Sequence, residues 1–526
     1  MLRSFVCLAL GVLILQGLVY AQLTTGTVQG TVQDPSGAVA PRVELTLWNV
    51  DTNLTLVQQT NSVGAYVFSN VPPGAYRLSA KLEGFKTSET TGLVVEVNRN
   101  TVVNITIEPG DLTQRVEVNA AADIIDTQSS VVRTNIGAKL ITELPSDSRN
   151  PLKFAELAPG VELQTGSLTS GSQVLGLGGV RANVSGARQQ QNTFYLDGAD
   201  NSTIRQNEGL QVPNVEAIQE VQVVTNSNSA EYGRQPGGYF NVITKAGTNE
   251  LHGSGFFYFR DAAFNANEWQ RNRQGLKTPD AKMRQWGGAA GGPIFRDKTF
   301  FFGSYQRFTD QATITSSTIR YPSQRMIAGD FSEFQGQLYH PVTQQPIPNN
   351  NLAAAGVVDP VAQKIARELI PTVGRLGDRL VWDFNTPPRN NEFLGKIDHN
   401  LSGAQRLNFS YFGTRGSSVV VPSGASGHPK YALGADQVRQ NTFAGRHTWT
   451  VNPQSILETQ FSFAQFNYAS TADPSTTGRD LSDFGPTGRN PFAAASARCP
   501  SFRSRTALTS AKSRVTNTTR EIFAGP

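Results

Sequence analysis

Cysteine is nearly absent: Cys7 and Cys499 are the only two in 526 residues. Cys7 falls in a leader, which leaves Cys499 alone, so no intramolecular disulfide holds the mature chain together. Histidine is scarce as well. His252, His340, His399, His428 and His447 are far apart and none has a second ligand at metal spacing, so no metal centre is expected and the five fit exposed or pore-lining positions. Charged residues reach only 17% with a net charge of +5, which is too little and too dispersed for a nucleic-acid surface. Past residue 21 there is no long apolar run, so any crossing of a membrane must be built from strands. Catalytic signatures are missing too. Gly176-Leu177-Gly178-Gly179 lacks the third glycine of a nucleotide loop, where Arg181 stands instead, and Asp297 breaks the phosphate-loop pattern across 291–299. No Gly-x-Ser-x-Gly elbow occurs, so neither enzyme activity nor a cofactor is expected.

What the chain does have is 49 Gly, 28 Pro and 29 Phe, a balance that suits short strands and many turns. Residues 1–21 carry Arg3, an apolar run from Phe5 to Val19 and Ala21 before Gln22, the pattern of a secretory signal peptide. The run is short for a membrane anchor and Gln16 interrupts it. Over 24–108 the β-rich runs 27–32, 42–47, 64–68, 75–82 and 94–107 are separated by turns such as Asp34-Pro35-Ser36-Gly37 and Pro72-Pro73-Gly74, which predicts a small β-sandwich. Gly30-Thr31-Val32-Gln33-Asp34-Pro35-Ser36-Gly37, Gly64-Ala65-Tyr66-Val67-Phe68 and Pro73-Gly74-Ala75-Tyr76-Arg77-Leu78 resemble the carboxypeptidase regulatory-like domain, a prealbumin-type sandwich. That family shares its topology with carbohydrate-binding modules, which implies either sugar binding or a spacer role.

From 112 to 246 the alternation weakens. Ile136, Leu140, Ile141 and Leu144 fall at helical spacing before Pro145, and Pro151 opens a second short helix that stops at Ala158-Pro159-Gly160. Phe194–Leu196 runs into an Asp197-Gly198 turn, and 215–224 reads as a short helix feeding a strand, so this part is a mixed α/β domain. Leu144-Pro145, Leu157-Ala158-Pro159-Gly160-Val161, Ser185-Gly186-Ala187-Arg188, the Asp197-Gly198 turn, Ala230-Glu231-Tyr232-Gly233-Arg234 and the run from Gly237-Gly238 to Thr244-Lys245 resemble the plug of TonB-dependent transporters of the Oar-like branch. The resemblance implies a domain seated in a barrel lumen and opened by the inner-membrane TonB protein. Arg115-Val116-Glu117-Val118 is the only apolar-alternating stretch between the two domains, hence the candidate TonB contact, and it reads equally as a strand of either neighbour. Arg181, Arg188 and Arg205 are candidates to face an anionic ligand, or else to fasten plug to wall.

Over 250–493 the chain alternates in long pieces. Leu407, Phe409, Tyr411 and Gly413 oppose Arg406, Asn408, Ser410 and Thr414, with Phe412 as the exception, and Leu457, Phe461 and Phe463 oppose Glu458, Gln460 and Ser462. That is the apolar-out, polar-in pattern of a membrane barrel strand. Further strands are predicted at 252–260, 283–291, 298–308, 391–401 and 438–450, seven in all. Connections at 292–297, 402–404 and 451–454 are short, and those at 261–282, 309–390 and 416–437 are long, as expected of periplasmic turns and outside loops. Phe300, Phe301, Phe302, Tyr305 and Trp449 are expected in aromatic girdles. Gly291-Gly292-Pro293-Ile294 and Asp297-Lys298-Thr299-Phe300-Phe301-Phe302 again resemble the Oar-like family.

Plugged transporters use about 22 strands, so seven cannot close, and an open edge in lipid costs tens of kcal/mol. From Ala494 the pattern changes: Arg498, Arg503, Arg505, Lys512, Arg514 and Arg520 face only Glu521 in charge, so 494–526 reads as a frame-shifted or truncated product, or as a long basic loop. The expectation is a mainly β outer-membrane protein: a signal peptide, a periplasmic β-sandwich (24–108), an α/β plug (112–246) and the first strands of a transmembrane antiparallel β-barrel (250–493). Its expected work is TonB-dependent uptake of a large carbohydrate, chelate or peptide, with TonB and outer-membrane lipid as partners. The alternative is a cell-surface carbohydrate-binding or adhesion protein acting through the sandwich.

Overall fold

The computed structural model describes residues 25–110, 115–119, 131–145, 149–165, 180–203, 207–226, 237–316, 321–420, 434–472 and 517–525, save 268, 274, 276, 279, 341, 371, 375, 377–381, 387 and 453–454. The N-terminal strands are β1 (Gly26–Gln33), β2 (Glu44–Asn49), β3 (Thr55–Gln59), β4 (Ala65–Val71), β5 (Gly74–Lys81), β6 (Thr87–Val95), β7 (Asn100–Val102), β8 (Ile105–Thr106) and β9 (Arg115–Asn119). They make two sheets, one of β4-β1-β7 with β8 also on β1, the other β3-β2-β5-β6-β9. Alternate residues of facing strands, Val28, Val32, Leu45, Leu47, Phe68, Tyr76 and Leu78, fill the space between them and are nearly inaccessible. Two strands depart from the sequence expectation. β3 has no buried face to give it a period, and β6 opens on Thr87, Ser88 and Thr90, which are polar yet buried.

The middle domain has β10 (Val132–Gly137), β11 (Val161–Thr165), β12 (Val180–Val184), β13 (Thr193–Leu196), β14 (Ala199–Asp200), β15 (Ile218–Asn226) and β16 (Tyr239–Thr244). Five of them form one mixed sheet in the order β10-β15-β16-β13-β14, and β11-β12 is a separate hairpin. The helix expected from Ile136 is shorter than its spacing implied: Ile136 belongs to β10, paired with Val221, and only Ala138–Glu143 is helical. Pairing with a strand distant in sequence overrides a local 3.6-residue period. Pro151–Leu157 is a 3-10 helix capped by Asn150. Asp197 and Gly198 both take positive φ in the tight β13–β14 turn, the geometry that makes Asp-Gly suitable there. The stretch 230–234 lies outside the described residues.

The remaining strands are β17 (His252–Asp261), β18 (Lys282–Phe295), β19 (Thr299–Asp310), β20 (Ala312–Ser316), β21 (Trp382–Thr386), β22 (Arg389–Ser402), β23 (Gln405–Val420), β24 (Gly434–Asn452), β25 (Ser455–Ala472) and β26 (Asn517–Gly525). All but the β20-β21 hairpin form one eight-stranded antiparallel sheet in the order β17-β18-β19-β22-β23-β24-β25-β26. The seven expected strands are all in it. β26 is an eighth, within the stretch where the expected pattern had faded, and 494–516 lie outside the described residues.

One face of this sheet wraps the middle domain. On the other, register and ring spacing set aromatic side chains side by side: Trp286 and Tyr305 at 5.7 Å between ring centres, Tyr305 and Phe393 at 4.9 Å, Tyr411 and Phe443 at 4.7 Å, Phe443 and Phe463 at 6.4 Å. Phe300 and Phe302 do not join this outer row. They are 2% and 7% exposed on the inner face, because successive residues of a strand point opposite ways and only Phe301 and Tyr305 share the outer parity. His399 and His447 are likewise on the outer face, in register with Leu407, and so do not line the interior.

Candidate functional site

The middle domain meets the wall through an apolar patch, a polar row and charged contacts. Phe412, the residue that broke the apolar-out rule, is 1% exposed on the inner face, and with Phe302 and Leu394 it enters the same core cluster as Ile136, Phe194, Phe240 and Val242. Leu394 and Phe412 are direct cross-strand partners, so they present one apolar patch to the middle domain. An alternation rule that assumes a wet interior misreads such positions, since here the inner face meets a protein core.

Beside this patch the inner face is polar and its groups are paired with the middle domain. Gln211 Oε1 accepts from Asn390 Nδ2 at 3.2 Å and from Thr414 Oγ1 at 2.6 Å. Gln440 Nε2 donates to Asn201 Oδ1 at 2.9 Å and to the Gln211 carbonyl at 3.3 Å. Thr414 and Gln440 sit opposite one another on β23 and β24, and Asn390, two residues from Glu392 on β22, joins them at Gln211, so three neighbouring strands read one segment of the middle domain. Asn214 Nδ2 reaches Ser304 Oγ at 3.3 Å.

A second contact surrounds the Asp197-Gly198 turn. The Asp197 carboxylate accepts from the Thr244 backbone N–H at 2.9 Å and its hydroxyl at 2.7 Å, which ties the turn to β16. From the wall, Lys396 Nζ donates to the Thr244 carbonyl at 3.2 Å and lies 3.8 Å from Asp197, while Arg446 donates to the Asp197 carbonyl at 3.3 Å. Arg446 is in turn held by Gln460 at 2.8 Å and by an ion pair with Glu458 at 3.1 Å. Arg149 closes a third contact: it pairs with Glu216 and its guanidinium lies 3.7 Å from the Tyr258 ring centre on β17. None of Gln211, Lys396, Gln440 and Arg446 stood out in the sequence. For Lys396, Gln440 and Arg446 the signal was parity alone, polar side chains at inward positions of alternating strands, and Gln211, in an irregular segment of the middle domain, had none.

The sandwich docks beneath. The turn that follows β6 puts Val97, fully buried, against the middle-domain sheet: Gln222 Nε2 donates to the Val97 carbonyl at 2.9 Å, Asn135 Nδ2 to Glu96 Oε2 at 3.3 Å and Asn98 Nδ2 to Tyr239 Oη at 3.1 Å. Glu220 is buried in this joint. Burial, reinforced by the Glu96 carboxylate and offset in part by the Val97 backbone N–H, pushes its carboxyl up to about 8. The short turns of the wall meet the sandwich through Asp297, which accepts from Asn53 at 2.9 Å and Asn249 at 2.7 Å, and through Arg406, which donates to the Asn70 carbonyl.

The residues singled out from the sequence are not brought together. Arg115–Asn119 is an edge strand of the sandwich, parallel to β6, with Thr87 opposite Arg115 and Thr90 opposite Val118. Arg181 Nε donates to the buried Glu208 at 2.5 Å, so it is held within the middle domain. Arg188 is exposed at the start of the 3-10 turn Gln189–Gln191, and Arg205 lies outside the described residues. Among the described residues no group of three or more His, Cys, Asp and Glu is placed to hold a metal.

Three family models match the chain in order: the carboxypeptidase regulatory-like domain over 27–108, the TonB-dependent receptor plug domain over 123–239 and an outer membrane beta barrel domain over 243–523. The TonB-dependent transporter Oar of Myxococcus xanthus is 26% identical over 345 residues, which cover 62% of this chain and 31% of that protein. The chain thus spans about a third of the length of the curated relative it matches. Among solved structures, the outer membrane transporter YddB of Escherichia coli is similar at 14% identity and a TM-score of 0.42, with 65% of this chain and 40% of that one covered. The ferric enterobactin receptor of Pseudomonas aeruginosa is similar at 14% identity and a TM-score of 0.40, with 66% and 44% covered.

Proposed function

Because the chain belongs to the outer-membrane β-barrel family and carries a TonB-dependent receptor plug and a carboxypeptidase regulatory-like domain ahead of the barrel, we propose that it serves energy-coupled import of a large ligand across the outer membrane. The observation that carries this reading is the middle domain seated against the inner face of the sheet by one apolar patch, one polar row and the Asp197 contact. A domain held by so many groups blocks passage until work is done on it. Hydrogen bonds of about 1 kcal/mol each add to several kcal/mol for the patch, which makes the seated plug the dominant state and leaves an open path a minor population unless work is done.

Coupling by TonB enters, in this reading, through Arg115–Val118. As the last strand of its sheet, β9 has one edge paired to β6 and, among the described residues, no strand on the other, which suits a strand from a partner. The ligand is a carbohydrate, a chelate or a peptide. Two measurements test the proposal. The full chain should bind the purified periplasmic domain of TonB, and deletion of 115–118 should abolish that binding; undiminished binding would remove the segment from its role. Cells should accumulate at least one radiolabelled compound from a panel of ferric chelates, oligosaccharides and peptides, and a protonophore should stop it. Accumulation indifferent to the proton gradient would refute energy coupling.

A further inference from the structure

On strands β18 to β24 the outer face of the sheet carries cations; its outward acid, Asp261 on β17, lies opposite Lys282 at the end of β18. Cross-strand pairing sets Arg307 opposite Asn391, Asn391 opposite Arg415 and Arg415 opposite Arg439, one row across four strands. One step nearer the long connections, Arg284 pairs with Thr309 and Thr309 with Arg389. Arg284, Arg389, Arg415 and Arg439 are exposed and Arg307 is partly so. Among the described residues none of these five has an ion-pair partner. The carboxylates of the same strands, Asp310, Glu392, Asp398 and Glu458, are all at inward parity.

The height of the row is defined. It lies two residues along the strand from the outward Tyr305 and Phe393, about 7 Å at the usual strand rise, and four residues from Tyr411 and Phe443, about 13 Å. From Arg439 to Trp449 on β24 the strand covers about 34 Å, or about 26 Å along the normal at a barrel strand's tilt, close to the height of the apolar band of an outer-membrane barrel. The arginines therefore stand at the far rim of the band, on the side of the long connections and opposite the sandwich. Arg415 and Arg439 are directly opposed like charges, a pairing that is unfavourable unless an anion lies between them. A guanidinium is planar and permanently charged, and its fork matches phosphate oxygens.

We propose that the row Arg307, Arg415 and Arg439, with Arg284 and Arg389 above it, is a binding site on the lipid-facing surface for the phosphate groups of the glycolipid in the outer leaflet. This rests on the sheet spanning the membrane and is independent of what the protein imports. The phosphates bridge neighbouring arginines, and the acyl chains descend over the aromatic row. The site ties the wall to its leaflet on the strands that hold the plug patch.

The test uses the full chain extracted from its own membrane, with retained phosphorylated glycolipid measured by native mass spectrometry. Arg415→Gln with Arg439→Gln should retain about tenfold less, since two charge-assisted contacts are lost. Lys298→Gln, an exposed cation in a turn at the opposite end, should retain as much as the unaltered chain. Equal retention by the double variant overturns the proposal. So does full displacement of the glycolipid by inorganic phosphate at matched phosphate concentration, since the site would then read free phosphate. If the double variant loses the heat-resistant migration of a folded barrel, Arg415→Lys with Arg439→Lys decides. Charge without the fork should bind several-fold more weakly, and undiminished binding overturns the assignment.

Discussion

Replacing Phe412 by alanine separates the two faces of the wall most cleanly. The side chain is 1% exposed and lies in one core with Phe194, Phe240 and Val242 of the plug, whereas Phe409, three residues earlier on the same strand, is 53% exposed on the outer face. Removing a fully buried phenylalanine costs about 3–5 kcal/mol when the site cannot collapse. Half of that contact belongs to the wall, which the strand ladder holds, so about 2 kcal/mol is expected to fall on the plug's attachment. Hydrogen exchange at the amides of Phe240, Val242 and Leu196 reads this directly, because they exchange only when the plug sheet opens. A loss of about 2 kcal/mol speeds exchange about 30-fold. Phe409→Ala should leave those amides within about twofold of the unaltered protein, since an outward residue contributes to lipid contact and not to the plug. Equal acceleration by both variants, or protection unchanged in Phe412→Ala, would refute the inward placement and with it the plug–wall core.

Arg446→Met strands Glu458, whose side chain is 6% exposed, and should lower stability by about 3–5 kcal/mol, with Arg446→Met/Glu458→Leu recovering most of it in thermal melts. Glu220 titrates near 4.5 when free and at about 8 in the joint, so the assembled state holds a proton that the separated state has lost between those values. Stability of the sandwich–plug joint is therefore greatest below about pH 4.5, falls as pH rises, and carries the whole cost above about 8. Exchange at Val97–Arg99 should quicken over that window and become flat with pH in Glu220→Gln, whereas an unaltered pH profile would remove Glu220 as the cause. Gly198→Val places a β-branched residue at φ +79° and should cost about 1–3 kcal/mol, seen as faster exchange at Phe194–Leu196; no change would contradict the turn geometry.

Much of this architecture is legible one residue at a time, because a strand between two unlike surroundings has a period of two. Leu407, Phe409 and Tyr411 against Arg406, Asn408 and Ser410 give their sides away without any partner in view, and short connections alternate with long ones along the chain, the short at one end of the sheet and the long at the other. What is hidden depends on residues far along the chain. Ile136 counts toward a helix by spacing, yet it pairs with Val221, 85 positions away in sequence. Phe302 and Phe412 look like lapses until a plug core is found against them. The turn Glu96–Arg99 has no period and no motif, and it matters only because Asn135, Gln222 and Tyr239 meet it. Arg115–Val118 was legible as a strand, but an alternating tetrapeptide does not say which edge it will join, and here it closes the sandwich sheet.

Parity also carries more than hydrophobicity. Sorted by face, the charged residues of the wall separate into two populations with different consequences. Those facing in, Lys396, Asp398, Arg406, Arg446 and Glu458, are of both signs, and they are held by one another or by the plug and sandwich at Asp197, Thr244 and Asn70. In a confined interior an unpaired charge is costly, so both signs must be present. Those facing out at the upper rim between β18 and β24 are cations, five arginines and Lys282, with no acid at their parity on those strands; the outward Asp261 of β17 lies opposite Lys282. A surface that meets only water has no reason to sort its charges in this way, since either sign is hydrated equally well. A surface that meets a layer of fixed anions does. Inverting the outer row, with Arg415→Glu and Arg439→Glu, should therefore impair insertion into the membrane far more than the same substitutions would disturb the plug contacts within, and a variant that inserts normally would show that the sorting has another origin.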